Sequence, residues 1–197
     1  MLDKEETLER EATMLPIEIA YHIAERAHRN QTRVNGEPYF MHPLRMYDYY
    51  RDLLYKSNNP YKAEAMRDNG IPISGVEEVI LLHDVIEDTG VTHKDIKKEF
   101  YKYGWKEYFD NYISEPLKLI THDKREKYET YIEKVMKNPI SSFVKMLDLI
   151  NNLDLLRVAK LGDYEYDRAH RYVKYFKMIN DKYHYVEKIR NYLDDIR

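Results

Sequence analysis

The chain has 197 residues, 43% of them hydrophobic and 34% charged, and a net charge of −3. This is the composition of a one-domain globular protein, with no general drive toward nucleic acid or anionic membranes. Cysteine is absent, so disulfides and thiolate metal sites are excluded, and any metal ion must be held by His, Asp or Glu.

The N-terminal stretch is charged and lacks the apolar core of a signal peptide. No apolar run approaches the roughly 18 residues of a membrane span. A cytoplasmic protein is expected, in keeping with its lack of cysteine. Six glycines and seven prolines punctuate the chain, and nearly every long segment between them carries the 3-4 apolar spacing of a helix.

Leu15–Arg29 reads as the first helix, with Ile17, Ala20, Tyr21, Ala24 and Ala27 on one side. Asn35-Gly36 marks a turn. Pro43 opens a second helix, as a first-turn proline, running to about Tyr55. Lys56–Pro60 reads as a loop and Tyr61–Arg67 as a short helix. Val76–Thr89 reads as one buried helix. Thr92, with Asp95 three residues on, predicts an N-cap for a helix through Tyr101.

Trp105–Thr121 reads as helical, with an irregularity near Pro116. Tyr128–Met136 is short and amphipathic. Pro139–Val158 is long, with Phe143, Met146, Leu147, Ile150, Leu153 and Leu156 on its apolar side. Asp163–Ile196 reads as a final helix or a helical pair, expected either to pack on the domain or to form a homodimer surface. No alternating strand pattern occurs, and the fold class is all-α, a single helical bundle over residues 1–197. The twenty tyrosines read as amphipathic filler at helix edges.

The central stretch, VEEVILLHDVIEDT, places His83, Asp84, Glu87 and Asp88 among Val76, Val79, Ile80, Leu82, Val85 and Ile86. Helical neighbours at i+3 and i+4 share a face, so Glu87 sits beside His83 and Asp84, and Asp88 beside Asp84. Unpaired buried charge is costly, and the natural partner of imidazole and carboxylates together is a divalent cation. His42, Asp148 and Asn152 join this constellation. Singly, each has an ordinary explanation as a cap or a solvent-facing polar group, and their spacing alone does not establish a site.

In combination they resemble the ligand set of the HD-domain metal-dependent phosphohydrolases. The local contexts are similar to the hydrolase domain of RelA/SpoT-type alarmone enzymes and their small stand-alone relatives. The matching residues are Ala27-His28, Gln31, Arg33, Gly36-Glu37-Pro38-Tyr39 and His42-Pro43, then Leu81 through Thr89, then Val144 through Asp148 with Asn152. The resemblance covers about residues 15–160 and leaves 163–197 as a helical extension.

It implies His42, His83, Asp84 and Asp148 as ligands of one ion, typically Mn²⁺, a choice that suits a mixed imidazole and carboxylate set. It implies Glu87 and Asp88 as the pair that handles the attacking water. Arg33 is implied near a nucleotide base, Asn152 near a ribose, and Lys145 as a further substrate-site residue. His28 is expected to pack beneath the site and Glu37 to form a turn or salt bridge. The implied activity is removal of the 3′-pyrophosphate from (p)ppGpp. The alternatives are an HD nucleotidase or pyrophosphatase acting on another nucleotide, and a non-catalytic nucleotide sensor.

The chain departs from the pattern at Val34, where a Lys is usual, and at Leu149-Ile150-Asn151, where Arg-Leu-His is frequent. An insertion, Lys56–Gly75, is expected to alter one rim. A second His-Asp pair, His122-Asp123, is expected to be coincidental.

Overall fold

The apolar spacing along the chain folds into helices throughout the computed structural model, which describes residues 14–55, 61–155 and 160–195. The expected loop Lys56–Pro60, and the residues Leu156 and Val158, lie outside that set. The helices are α1 Pro16–His28, α2 Met41–Tyr55, α3 Lys62–Asp68, α4 Val76–Leu82, α5 Val85–Asp88 and α6 His93–Lys102. They continue as the single turn α7 Lys106–Tyr108, α8 Ser114–Ile120, α9 Tyr128–Val135, α10 Pro139–Asn152, α11 Asp163–Tyr183 and α12 Tyr185–Asp195. No strand occurs among the described residues; Thr32 and Pro38 form one isolated antiparallel bridge. No described helix is long and apolar enough to cross a membrane.

Helix α4 is the axis of the bundle. Val76, Val79, Ile80, Leu81 and Leu82 are all buried, because α1, α2 and α10 cover it on several sides. Each such side chain contributes roughly 1.5–3 kcal/mol relative to exposure. Ile19, Ala20, Ile23 and Ala24 line the facing side of α1, and the alanines allow close approach. Phe143, Val144, Leu147 and Leu149 bury the inner side of α10. Its other flank is covered by α11, while α12 packs against α3.

The expected single helix over Val76–Thr89 is in fact two, broken at His83-Asp84. The cause is local. His83 Nδ1 donates to the Ile80 carbonyl at 2.7 Å, and in an unbroken helix that carbonyl would serve the Asp84 N–H. The irregularity expected near Pro116 is a π-helical turn, Phe109–Ile113, just before it.

A proline at 116 leaves the Tyr112 carbonyl without its helical donor. Gly75 (φ +80°) packs directly against that carbonyl, and a Cβ there would sit 2.4 Å from it. Thr92 caps α6 as expected, accepting the Asp95 N–H while the Asp95 carboxylate accepts the Thr92 N–H.

Two expectations about α10 change. It ends at Asn152 rather than near Val158, and Ile150 is exposed (37%) rather than on the buried side. The final segment is the helical pair, hinged at His184 in a left-handed conformation (φ 55°). The inserted α3 lies against α12, where Asn69 donates to Asp195.

Candidate metal centre

Three segments of the fold meet where α2, the α4–α5 break and α10 converge. His42 comes from the first turn of α2, His83 and Asp84 from the break, and Asp148 from the buried side of α10. Both imidazoles and Asp148 are almost fully buried. His42, His83 and Asp84 each offer a ligand atom within 4.8 Å of the others. Asp148 Oδ1 lies 3.0 Å from His42 Nε2 and 3.9 Å from His83 Nε2.

The donor set fits a divalent cation. His83 gives its Nδ1 proton to the Ile80 carbonyl, so Nε2 is the nitrogen turned to the cluster, free to offer a lone pair once a cation takes the place of its proton. That Nε2 is buried and has no hydrogen-bond partner, although Asp84 Oδ2 is 3.1 Å away, off hydrogen-bonding geometry. His42 Nδ1 is likewise taken up by Asn151 Oδ1 at 2.9 Å, which turns its Nε2 toward Asp148. Ligating histidines are held in this way, by an oxygen acceptor on the far nitrogen.

Burial pulls the His83 imidazole down, but the Asp84 and Asp148 charges outweigh it and push it up to about 9. Burial works against both carboxylates too. His83 and His42 hold Asp84 well below the usual range, while Lys145, with His42, holds Asp148 low. Two anions that stay ionised among buried imidazoles call for positive charge between them.

Around these four, the other expected residues fall into place with different duties. Glu87 is half-buried. Its Oε2 accepts the backbone N–H of His122 at 3.1 Å, and the His122 ring lies 3.9 Å from Oε1. Burial, with the Asp84 and Asp88 charges, raises the Glu87 carboxyl despite that N–H. The His122-Asp123 segment reaches Glu87 through a backbone N–H, which does not depend on its being a His-Asp pair. Asp88 accepts from Tyr39 Oη at 2.7 Å and faces exposed Lys124 at 3.8 Å.

Arg33 donates to Asn152 Oδ1 at 2.9 Å, and Asn152 Nδ2 donates to Asp148 Oδ1 at 2.5 Å. Lys145, expected to face substrate, instead pairs with Asp148 Oδ2 at 2.7 Å, its side chain only 11% exposed. Its ammonium also lies 5.2 Å from the Tyr131 ring centroid and 5.7 Å from that of Tyr128. His28 is buried as expected, and Glu37 forms its salt bridge with Arg45.

Sequence reading passed over Tyr39 as a site residue, along with Asn151 and the His122 backbone. Only Tyr39 carried any signal, through its place in the Gly36–Tyr39 motif.

A cavity of about 340 Å³ adjoins the centre, lined by Arg33, Val34, Asn151, Asn152, Lys160, Tyr164 and Arg168, with acidic Asp154 and Glu165. Its far wall comes from the start of α11, and no described residue of the expected rim insertion lines it.

No protein-family profile matches the chain. A GTP pyrophosphokinase of Streptomyces coelicolor is 35% identical over 89 residues, 45% of this chain and 8% of that protein. A guanosine-3′,5′-bis(diphosphate) 3′-pyrophosphohydrolase of Aquifex aeolicus is 35% identical over 102 residues, 49% of this chain and 12% of that protein. The bifunctional (p)ppGpp synthase/hydrolase SpoT of Escherichia coli is 29% identical over 141 residues, 70% of this chain and 17% of that protein.

The chain is similar to alarmone enzymes of the RelA/SpoT type. It spans less than a fifth of the length of these relatives. Among solved structures, a metazoan SpoT ortholog, titled as hydrolysing ppGpp, shares the fold at a TM-score of 0.59 and 21% identity. That match covers 93% of this chain and 94% of the other.

Proposed function

We propose that the chain is a metal-dependent phosphohydrolase that removes the 3′-pyrophosphate of a guanosine alarmone. The observation that carries this reading is the meeting of His42, His83, Asp84 and Asp148, with Glu87 and Asp88 one turn on, beside a polar cavity that Asn151 and Asn152 join to the cluster through His42 and Asp148. The relatives named as (p)ppGpp pyrophosphohydrolases and synthase/hydrolases support the substrate.

In this reading the four ligands hold a divalent ion, typically Mn²⁺. When bound, the ion supplies a lowered pKa for water and charge neutralisation for phosphate oxygens. The residues do the rest. Glu87, fixed by the His122 N–H, accepts the proton of the attacking water, and Asp88 orients that water. Arg33 and Asn152, bonded to each other, position the nucleoside, and Arg168 and Lys160 on the opposite wall meet its phosphates. Lys145 acts on Asp148 rather than on substrate.

The close alternative is a different nucleotide. It is favoured by Val34, which stands 97% exposed at the cavity edge where the alarmone enzymes usually carry a Lys.

A nucleotide panel with and without Mn²⁺ decides. Pyrophosphate released from ppGpp only with metal is the expected result. Phosphate released from nucleoside monophosphates selects the alternative, and tight binding without turnover selects a sensor.

A further inference from the structure

One side chain touches both the metal-ligand set and the water-handling pair. Tyr39 Oη lies 2.8 Å from Asp84 Oδ2 and 2.7 Å from Asp88 Oδ2. A phenol carries one proton and donates to one acceptor at a time. The carboxylate oxygen that the O–H does not serve faces the phenol's lone pairs. The two carboxylates therefore compete for one donor.

The ring is not free to turn away from that choice. It stacks on the buried His28 ring at 4.7 Å and 24°, and the Arg33 guanidinium lies 5.9 Å from its centroid. Its backbone N–H is tied to the Gln31 carbonyl at 2.9 Å, across the Thr32–Pro38 bridge. Gln31 closes the frame. Its Oε1 bonds His28 Nδ1 at 2.6 Å and its Nε2 donates to the Asp88 carbonyl at 2.7 Å. The loop between α1 and α2 thus presents the phenol at a fixed point between α5 and the ligand cluster.

We propose that Tyr39 is a positioning residue that couples Asp84 to Asp88. Asp84, were its charge shared with a cation, would be the weaker acceptor, and the phenol, keeping its proton, would turn its O–H to donate to Asp88. Asp88 is then held at a set orientation beside Glu87 only when the ligand set is complete. The device prevents the water-handling pair from being assembled without the cation. It rests on the roles given to Asp84 and Asp88 above.

The test is a double-mutant cycle read by Mn²⁺ titration, alongside turnover. Tyr39→Phe removes the hydroxyl and keeps the ring on His28. Mn²⁺ dissociation constants are measured for the wild type, Tyr39→Phe, Asp88→Asn and the double variant. The combined change is expected to differ from the product of the single changes by about threefold or more. A product that matches within error overturns the coupling, and wild-type protein that binds no Mn²⁺ overturns both the coupling and the metal reading.

With ppGpp, Tyr39→Phe is expected to lower kcat by about tenfold or more while KM stays within about threefold. An unchanged kcat overturns the proposal. If the wild type binds Mn²⁺ but releases no pyrophosphate from ppGpp, the substrate reading fails, and the metal cycle still decides the role of Tyr39.

Discussion

Lys145→Met separates two roles for a residue that stands three positions before Asp148, the carboxylate of the cluster that α10 supplies. The ammonium is 2.7 Å from Asp148 Oδ2, with the two side chains 11% and 8% exposed. Removing one member of a buried pair leaves the other charge uncompensated, at a cost of roughly 3–5 kcal/mol. The low end applies here, because His42 bonds the same carboxylate at 3.0 Å and keeps it from being left without a partner. Methionine retains the stem's packing against Tyr128 and Tyr131, so little of the loss comes from a cavity.

For a chain of this size, about 3 kcal/mol lowers Tm by roughly 6–12 °C. The assay is thermal unfolding of metal-stripped protein at neutral pH, repeated with saturating Mn²⁺. The variant is expected to regain more of its Tm on metal addition than the wild type gains, because a cation at the site restores charge beside Asp148. The KM for ppGpp is expected to stay within about threefold, since a buried lysine makes no substrate contact. A Tm within about 2 °C of wild type refutes the energetic argument. A large rise in KM with unchanged Tm restores Lys145 to the substrate.

Asp84→Ala removes a ligand facing both imidazoles and is expected to abolish Mn²⁺ binding and turnover together; calorimetric titration that still shows one tight ion contradicts the assignment. Glu87→Ala is expected to cut turnover by about 10²-fold or more while metal content, measured by elemental analysis, is unchanged. Glu78→Gln tests a charge away from the centre. Burial, reinforced by Glu77 and opposed by its own backbone N–H and by Tyr108, pushes the Glu78 carboxyl up to about 7 from 4.5.

The folded state therefore holds that proton more tightly than the unfolded chain. The contribution of this one group is full below about pH 4.5 and is lost as pH rises through about 7, a change of up to about 3 kcal/mol. Glu78→Gln is expected to flatten this fall and to be more stable than wild type at pH 8. Denaturant midpoints across pH 5–8 that run parallel for the two proteins would rule it out.

Local patterns made most of the helices legible. The Thr92–Asp95 cap, the amphipathic spacing of α1 and the first-turn Pro43 are all determined within a few residues of sequence. The cluster of His42, His83-Asp84 and Asp148 was legible for a different reason, because these residues sit in contexts that resemble a known family. What was hidden depends on contacts between distant segments. The break of the central helix follows from one imidazole capping one carbonyl, which periodicity does not register. The inward turn of Lys145 follows from Asp148 and two tyrosine faces brought over it by α9. The grip of His122 on Glu87 runs through a backbone N–H, and no side-chain motif can announce it.

The same break explains why the centre can exist inside an apolar bundle. A continuous helix over Val76–Thr89 would have offered the Ile80 carbonyl to the Asp84 N–H and left both His83 nitrogens to find other partners. With the helix interrupted, His83 Nδ1 is satisfied by Ile80, and Nε2 is the one buried nitrogen of this ring left to face the carboxylates. Asp84, now at the start of α5, turns its side chain toward the same point, and its carbonyl accepts the Asp88 N–H. One displaced helical hydrogen bond thereby directs a ring nitrogen at the cluster.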